Sequence, residues 1–105
     1  MITQLFFCTR PATMSSDEFW GYWKDVHSPI GSRIPGLEQY VLYRGIEDDN
    51  GAPPYDGIAL MSFSDTTALE RGWASPEGVA TMDDVPNFVD VSKLVAITCQ
   101  GHQVI

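Results

Sequence analysis

The sequence predicts an α+β fold of four strands and two helices in the order β-α-β-β-α-β. Three observations carry that expectation. Four short stretches are rich in β-branched and aromatic residues, two intervening segments begin with helix-capping residues, and Gly, Pro, Asn or Asp stand at the junctions. A chain of 105 residues suffices for one core and is too short for two, so residues 1–105 are read as a single domain. Hydrophobic residues at 44% against charged residues at 19% mark it as globular, not disordered.

Residues 2–9 form the first expected strand, and Arg10-Pro11-Ala12-Thr13-Met14 turns out of it. Ser15-Ser16-Asp17-Glu18 is a capping box, in which the Ser15 hydroxyl and the Glu18 carboxylate accept from free backbone N–H groups and start a helix. Phe19, Tyr22, Trp23, Val26 and Ile30 follow at three- and four-residue steps and share one face, with Lys24 and Asp25 on the other. Pro29 disfavours helical geometry at Ser28 and Gly31 offers a terminator, so the helix is expected to kink or end near His27–Ile30.

Ile34-Pro35-Gly36 is a turn into a second strand, Leu37 to Arg44, and the acidic stretch from Ile46 to Asp56 is an exposed loop. A third strand covers Gly57 to Phe63. Asp65 caps a second helix that carries Ala68, Leu69 and Trp73 inward. That helix breaks at Ser75-Pro76, where Ser75 caps a new turn. Irregular or short helical chain follows through Asp83-Asp84-Val85-Pro86, and the last strand covers roughly Ser92 to Gly101.

This order is that of the ferredoxin-like split-βαβ sandwich, a four-stranded antiparallel sheet with two helices on one face. The uncovered face of such a sheet should be polar at alternate positions. Leu5-Phe6-Phe7-Cys8, Ile58-Ala59-Leu60-Met61 and Leu94-Val95-Ala96-Ile97 are instead apolar at both parities. Two helices cover one face, so the other needs a partner, and a second copy of the chain packed sheet to sheet, a homodimer, is the simplest. The topology places Cys8 and Cys99 near opposite ends of the sheet, too far apart for a disulfide.

Six Lys and Arg against fourteen Asp and Glu give a net charge of −8, and the six cations are scattered. Nucleic acid and anionic membrane surfaces are therefore not expected partners. The first residues lack a basic leader, no stretch reaches the roughly 18 apolar residues of a membrane helix, and a cytoplasmic protein with reduced thiols is the expectation. Glycine-rich phosphate loops, a serine elbow, calcium-loop alternation and metal-ligand spacing are all missing, so no cofactor and no metal are expected.

Of two histidines, His102 lies beyond the last strand and reads as a solvated tail residue. His27 sits at the end of an aromatic-rich helix, just before a chain reversal. Two readings stand for it: a helix-terminal side chain capping carbonyls, or a general acid or base lining a pocket between helix and sheet. Tyr40 follows in the second strand, just after the chain doubles back. Its hydroxyl either reaches solvent from a packed ring or donates to a developing oxyanion. Trp20, Tyr22 and Trp23 either fill the core or wall an aromatic pocket for a small apolar ligand.

Phe19-x-x-Tyr22-Trp23-x-x-x-His27-x-Pro29, followed by Ile34-Pro35-Gly36-Leu37-x-x-Tyr40, resembles the signature of the EthD-like family. These are small dimeric α+β barrel proteins named for a component of ethyl tert-butyl ether degradation. Weaker likeness continues through Asp56-Gly57-Ile58-Ala59-Leu60, Ser75-Pro76 and Phe88-x-Asp90. The resemblance implies a dimeric α+β barrel. Relatives include methylmuconolactone methylisomerase, polyketide cyclases and fungal dehydratase- or decarboxylase-like proteins. In the methylisomerase a His and a Tyr matching His27 and Tyr40 are proposed to lie at the active site. The cluster of Trp20, Tyr22 and Trp23, with Pro29, departs from that enzyme. What this implies is a cofactor-free enzyme acting on an aromatic-degradation lactone or polyketide-like carbonyl compound. The alternative is a non-catalytic ligand-binding or accessory protein of a degradation pathway.

Overall fold

The computed structural model describes all 105 residues. Strands β1 (Ile2–Cys8), β2 (Leu37–Arg44), β3 (Gly57–Phe63) and β4 (Val95–Gln100) form one sheet in the order β2-β3-β1-β4. All three pairings are antiparallel. The architecture is the expected ferredoxin-like α+β sandwich, with helices on one face. Two strands fall on their expected bounds. The last starts later, at Val95, because the Asp90 carboxylate accepts from the Ser92 N–H and hydroxyl and holds Val91–Lys93 in a short 3₁₀ turn.

The first helical stretch runs as α1 (Ser16–Tyr22), a π turn (Trp23–His27) and α2 (Ser28–Gly31). The capping box at its start is present, with Ser15 Oγ accepting from Glu18 N–H and Glu18 Oε1 from Ser15 N–H. The helix passes Pro29 through an irregular turn and ends at Gly31, one residue beyond the expected His27–Ile30. The Ser28 N–H reaches back five residues to the Trp23 carbonyl, and the Ser28 hydroxyl donates to Lys24 O at 2.7 Å, serving a carbonyl that the absent Pro29 N–H leaves free.

The π turn rewrites the buried stripe. Phe19, Trp23, His27 and Gly31 are buried, one every fourth residue, whereas Val26 is 44% exposed. Three α-helical turns span about 11 residues, and this stripe uses 12. The π turn inserts the extra residue and carries His27 into the place that 3.6-residue periodicity assigned to Val26.

The second helical stretch is α3 (Thr66–Ala74), capped by Asp65, then α4 (Pro76–Asp84), capped by Ser75. Of the two expected alternatives, irregular or short helical chain, the helical one is found, and the turn capped by Ser75 runs on for nine residues. Proline at its first position needs no N–H partner, and the Ser75 hydroxyl accepts from Gly78 N–H. Gly78 lets α4 pack tightly on the end of α3, for a Cβ there would meet the Trp73 backbone at 2.6–2.7 Å, and Gly72 lets α3 approach Phe63 and the Pro35 carbonyl.

The helices bury Cys8, Phe19, Trp23, Ala59, Phe88 and Val89 in one cluster and Ile34, Met61 and Phe63 in a second. The opposite sheet face carries Leu5 and Phe7, Val41 and Tyr43, Ile58 and Leu60, and Val95 and Ile97, directly opposite one another across the register. On the outer strands these side chains are open to solvent, at 38% for Val41, 51% for Tyr43, 41% for Val95 and 47% for Ile97. Cys99 pairs with Thr3, toward the other end of β1 from Cys8, and both thiols are free. No helix is long and apolar enough to cross a membrane.

Candidate functional site

A cavity lies between the helical layer and the sheet, lined by 14 residues of which 12 are hydrophobic. Its volume is about 40 Å³, enough for water but well below the ~300–1,000 Å³ of most ligand sites. Phe6, Cys8, Ala59 and Met61 form its floor on β1 and β3. Trp23, His27 and Tyr40 bring polar atoms to its wall, and half-exposed Met82 of α4 stands between it and solvent.

His27 is 5% exposed. Its Nδ1 lies 2.7 Å from Asp84 Oδ2, and its ring centroid lies 4.6 Å from that of Phe88. Burial lowers the imidazole pKa below its ordinary value, and the Asp84 carboxylate offsets this only in part. At neutral pH the ring is therefore uncharged, with Nδ1–H donating to Asp84. Its Nε2 makes no hydrogen bond to protein.

Asp84 accepts three hydrogen bonds. Tyr22 Oη donates to Oδ1 at 2.6 Å, Asn87 Nδ2 donates to Oδ1 at 3.0 Å, and His27 serves Oδ2. Burial disfavours the carboxylate charge, but hydrogen bonds from Tyr22, Asn87 and His27 outweigh it and hold the pKa below the usual value. The same contact raises the Tyr22 phenol.

Tyr40 lies on the helix-facing side of β2, opposite Met61. Burial pushes its hydroxyl up to about 12, against the nearby Trp23 indole N–H. It stays a neutral donor across the physiological range. Gly31 makes room for it: a Cβ there would meet Tyr40 Cε2 at 3.0 Å and its Oη at 3.1 Å. Gly31 is the last residue of the helix, and it ends the helix with no left-handed backbone. Gly57 does the same for Trp23, whose Cζ3 would lie 2.5 Å from an added Cβ.

Of the five residues singled out from sequence, His27, Tyr40 and Trp23 share the cavity. Tyr22 stands behind it, stacked on Phe88 at 5.3 Å and bonded to Asp84. Trp20 lies outside, edge-on to Trp23, with the Arg44 guanidinium 5.9 Å from its ring centroid. Asp84 and Phe88 were missed. A signal for Asp84 existed: from the Ser75 cap, Gly78, Thr81, Asp84 and Phe88 follow at helical steps, so Asp84 falls on the inward stripe. An inward carboxylate demands donors, and His27 and Tyr22 supply them. His102 is exposed, and no three His, Cys, Asp or Glu side chains converge as a metal-ligand group.

Residues 11–92 match the EthD domain. The chain belongs to the EthD family. A crystallised EthD family protein from Bacillus halodurans superposes with a TM-score of 0.86 at 20% identity, covering 97% of this chain and 99% of that one. SnoaB, a cofactor-independent oxygenase from Streptomyces nogalater, superposes at 0.71 with 16% identity over 99% of this chain and 95% of its own. A dimeric ferredoxin-like protein of unknown function from Thermobifida fusca gives 0.75 at 15% identity over 95% and 90%. At these identities the structural likeness speaks for the fold alone. No curated protein is close enough in sequence to count as a match.

Proposed function

We propose that this EthD protein is a cofactor-free enzyme of small-molecule metabolism that moves a proton on a neutral, largely apolar carbonyl compound. An aromatic-degradation lactone or a polyketide-like ring is the substrate class. The observation that carries the reading is one apolar cavity shared by a neutral, buried imidazole and a neutral, partly buried phenol. No Lys or Arg lines it, so a carboxylate or phosphate ester would lack a fixed counter-charge, whereas an uncharged carbonyl compound would not need one.

In this mechanism His27 Nε2 takes the proton from the carbon next to the carbonyl. The C–H electron pair passes into the carbon skeleton and the carbonyl becomes an enolate. Tyr40 O–H donates to the enolate oxygen, and the imidazolium returns its proton to another carbon, completing an isomerisation. Trp23 and the apolar floor give shape and keep water out, while Trp20 and Tyr22 act from behind that wall.

The open sheet face supports a homodimer packed sheet on sheet into an α+β barrel, as does the dimeric state of the Thermobifida relative. Eight apolar side chains with no covering helix match the core of an obligate interface. Both thiols reduced, with burial raising Cys8 to about 12 and leaving it inert, fit a cytoplasmic setting.

The test is turnover of lactone and cyclic ketone panels by wild type, His27→Ala and Tyr40→Phe. A loss of about 10²–10⁴-fold in kcat for His27→Ala is expected, and unchanged turnover in both variants sinks the mechanism. The second reading is a non-catalytic ligand-binding or accessory protein of the same family. Saturable binding with no turnover, unaffected by His27→Ala, would establish that instead.

A further inference from the structure

We propose that Asp84 is the positioning residue of the site: anchored by Tyr22 and Asn87, it fixes His27 in the tautomer that presents a bare Nε2 to the cavity. The inference rests on the proton-transfer reading of His27 and adds the device that makes the imidazole a base on the correct side.

A neutral imidazole has one protonated and one bare nitrogen, and the partner of one nitrogen decides the state of the other. His27 has one hydrogen-bonding partner in the protein, the Asp84 carboxylate, at Nδ1. An ionised carboxylate only accepts, so Nδ1 must carry the proton and Nε2 must be bare. The carboxylate is itself held from two other elements. Tyr22, at the end of α1, and Asn87, beyond α4, both donate to Oδ1, leaving Oδ2 for the imidazole. Phe88 packs against both Tyr22 and His27, so the two rings that donate to Asp84 rest on one side chain.

The array ties three places in the sequence, residues 22–27, 84 and 87–88, into one unit. When Nε2 accepts a substrate proton, the imidazolium forms beside a carboxylate already oriented toward it. The other titratable groups around the cavity are Cys8 on β1 and Tyr40 on β2, both held neutral by burial. Asp84 is thus the one charge that faces the ring.

The experiment is two-bond ¹H–¹⁵N spectroscopy of ring-labelled histidine in the whole protein, with His27→Gln to assign the signals against His102. In wild type at neutral pH, Nε2 of His27 is expected to be the bare nitrogen. Asp84→Asn can both donate and accept, and it should mix or invert the tautomers and lower the pH at which the ring takes its proton. Asp84→Glu should retain the wild-type tautomer. Tyr22→Phe should keep it with a smaller shift of the titration. A bare Nδ1 in wild type, or an Asp84→Asn protein with tautomer and titration unchanged, overturns the proposal. The wild-type measurement decides even if Asp84→Asn fails to fold. It also stands apart from the turnover assays: a protein with no substrate turnover and a bare Nε2 refutes the enzyme and keeps the positioning.

Discussion

The two faces of the sheet are made by the same four strands and differ in what they hold. The helix-covered face carries every polar group of the candidate site, each paired or turned into the cavity. The open face carries Leu5, Phe7, Val41, Tyr43, Ile58, Leu60, Val95 and Ile97, with no charged residue among them. Period-2 alternation separates the two sets along each strand. A covered face can afford polar atoms because helices bring partners to them. A face with nothing above it keeps eight apolar side chains together only when another surface is to cover it.

Substitutions on one face should therefore act on stability and chemistry, and those on the other on self-association. The largest effect is expected from Trp23→Ala, which empties the centre of the covered face and should cost ~3–5 kcal/mol in urea unfolding. Ile97→Asp, at an already half-exposed position of the open face, should leave the monomer folded. It should weaken self-association by about 3–5 kcal/mol in sedimentation equilibrium, the usual cost of an uncompensated charge in an interface. A wild type that is monomeric at micromolar concentration by light scattering breaks the contrast outright.

Gly31→Ala sharpens the covered side. Overpacking against Tyr40 costs roughly 1–3 kcal/mol, and the gain in helix propensity returns about 1 kcal/mol. Net stability should thus fall by about 0–2 kcal/mol while the Tyr40 resonances shift and activity falls. The pH dependence is smaller still. Folded His27 has a pKa below its unfolded value of 6.5, so between those values the unfolded chain binds more protons. Stability should decline as pH falls from about 6.5 toward the folded pKa and then level off. His27→Gln should flatten that segment of the curve. Asp84, whose pKa is depressed, adds stability above the ordinary carboxylate value that is lost at lower pH. His102→Ala, on the exposed tail, should change stability by less than about 0.5 kcal/mol.

Local chemistry made most of the fold legible. The capping box at Ser15, the caps at Asp65 and Ser75, the turn at Gly36 with its φ of 81°, and two strands with their bounds all follow from residues close in sequence. The site was legible in part. His27 and Tyr40 stood out by type and by the EthD-like motif, and both line the cavity. Trp20 did not join them, because the helix turns it toward Arg44. Val26 looked buried because a 3.6-residue period leaves no place for a π turn, and the backbone bond that creates it depends on Pro29 two residues past His27.

The sequence by itself determined the order of elements, the alternation that makes both sheet faces apolar, and the presence of one histidine at a helix end. These depend on propensity, capping and periodicity, which act within a few residues. Only the tertiary structure decided that His27 points inward, that Asp84 rather than a backbone carbonyl receives its Nδ1–H, and that Tyr22 supports the carboxylate rather than walling the cavity. Each of those outcomes joins residues 57 to 62 positions apart. It took the packing of α4 against the first helical stretch to bring them within hydrogen-bonding distance.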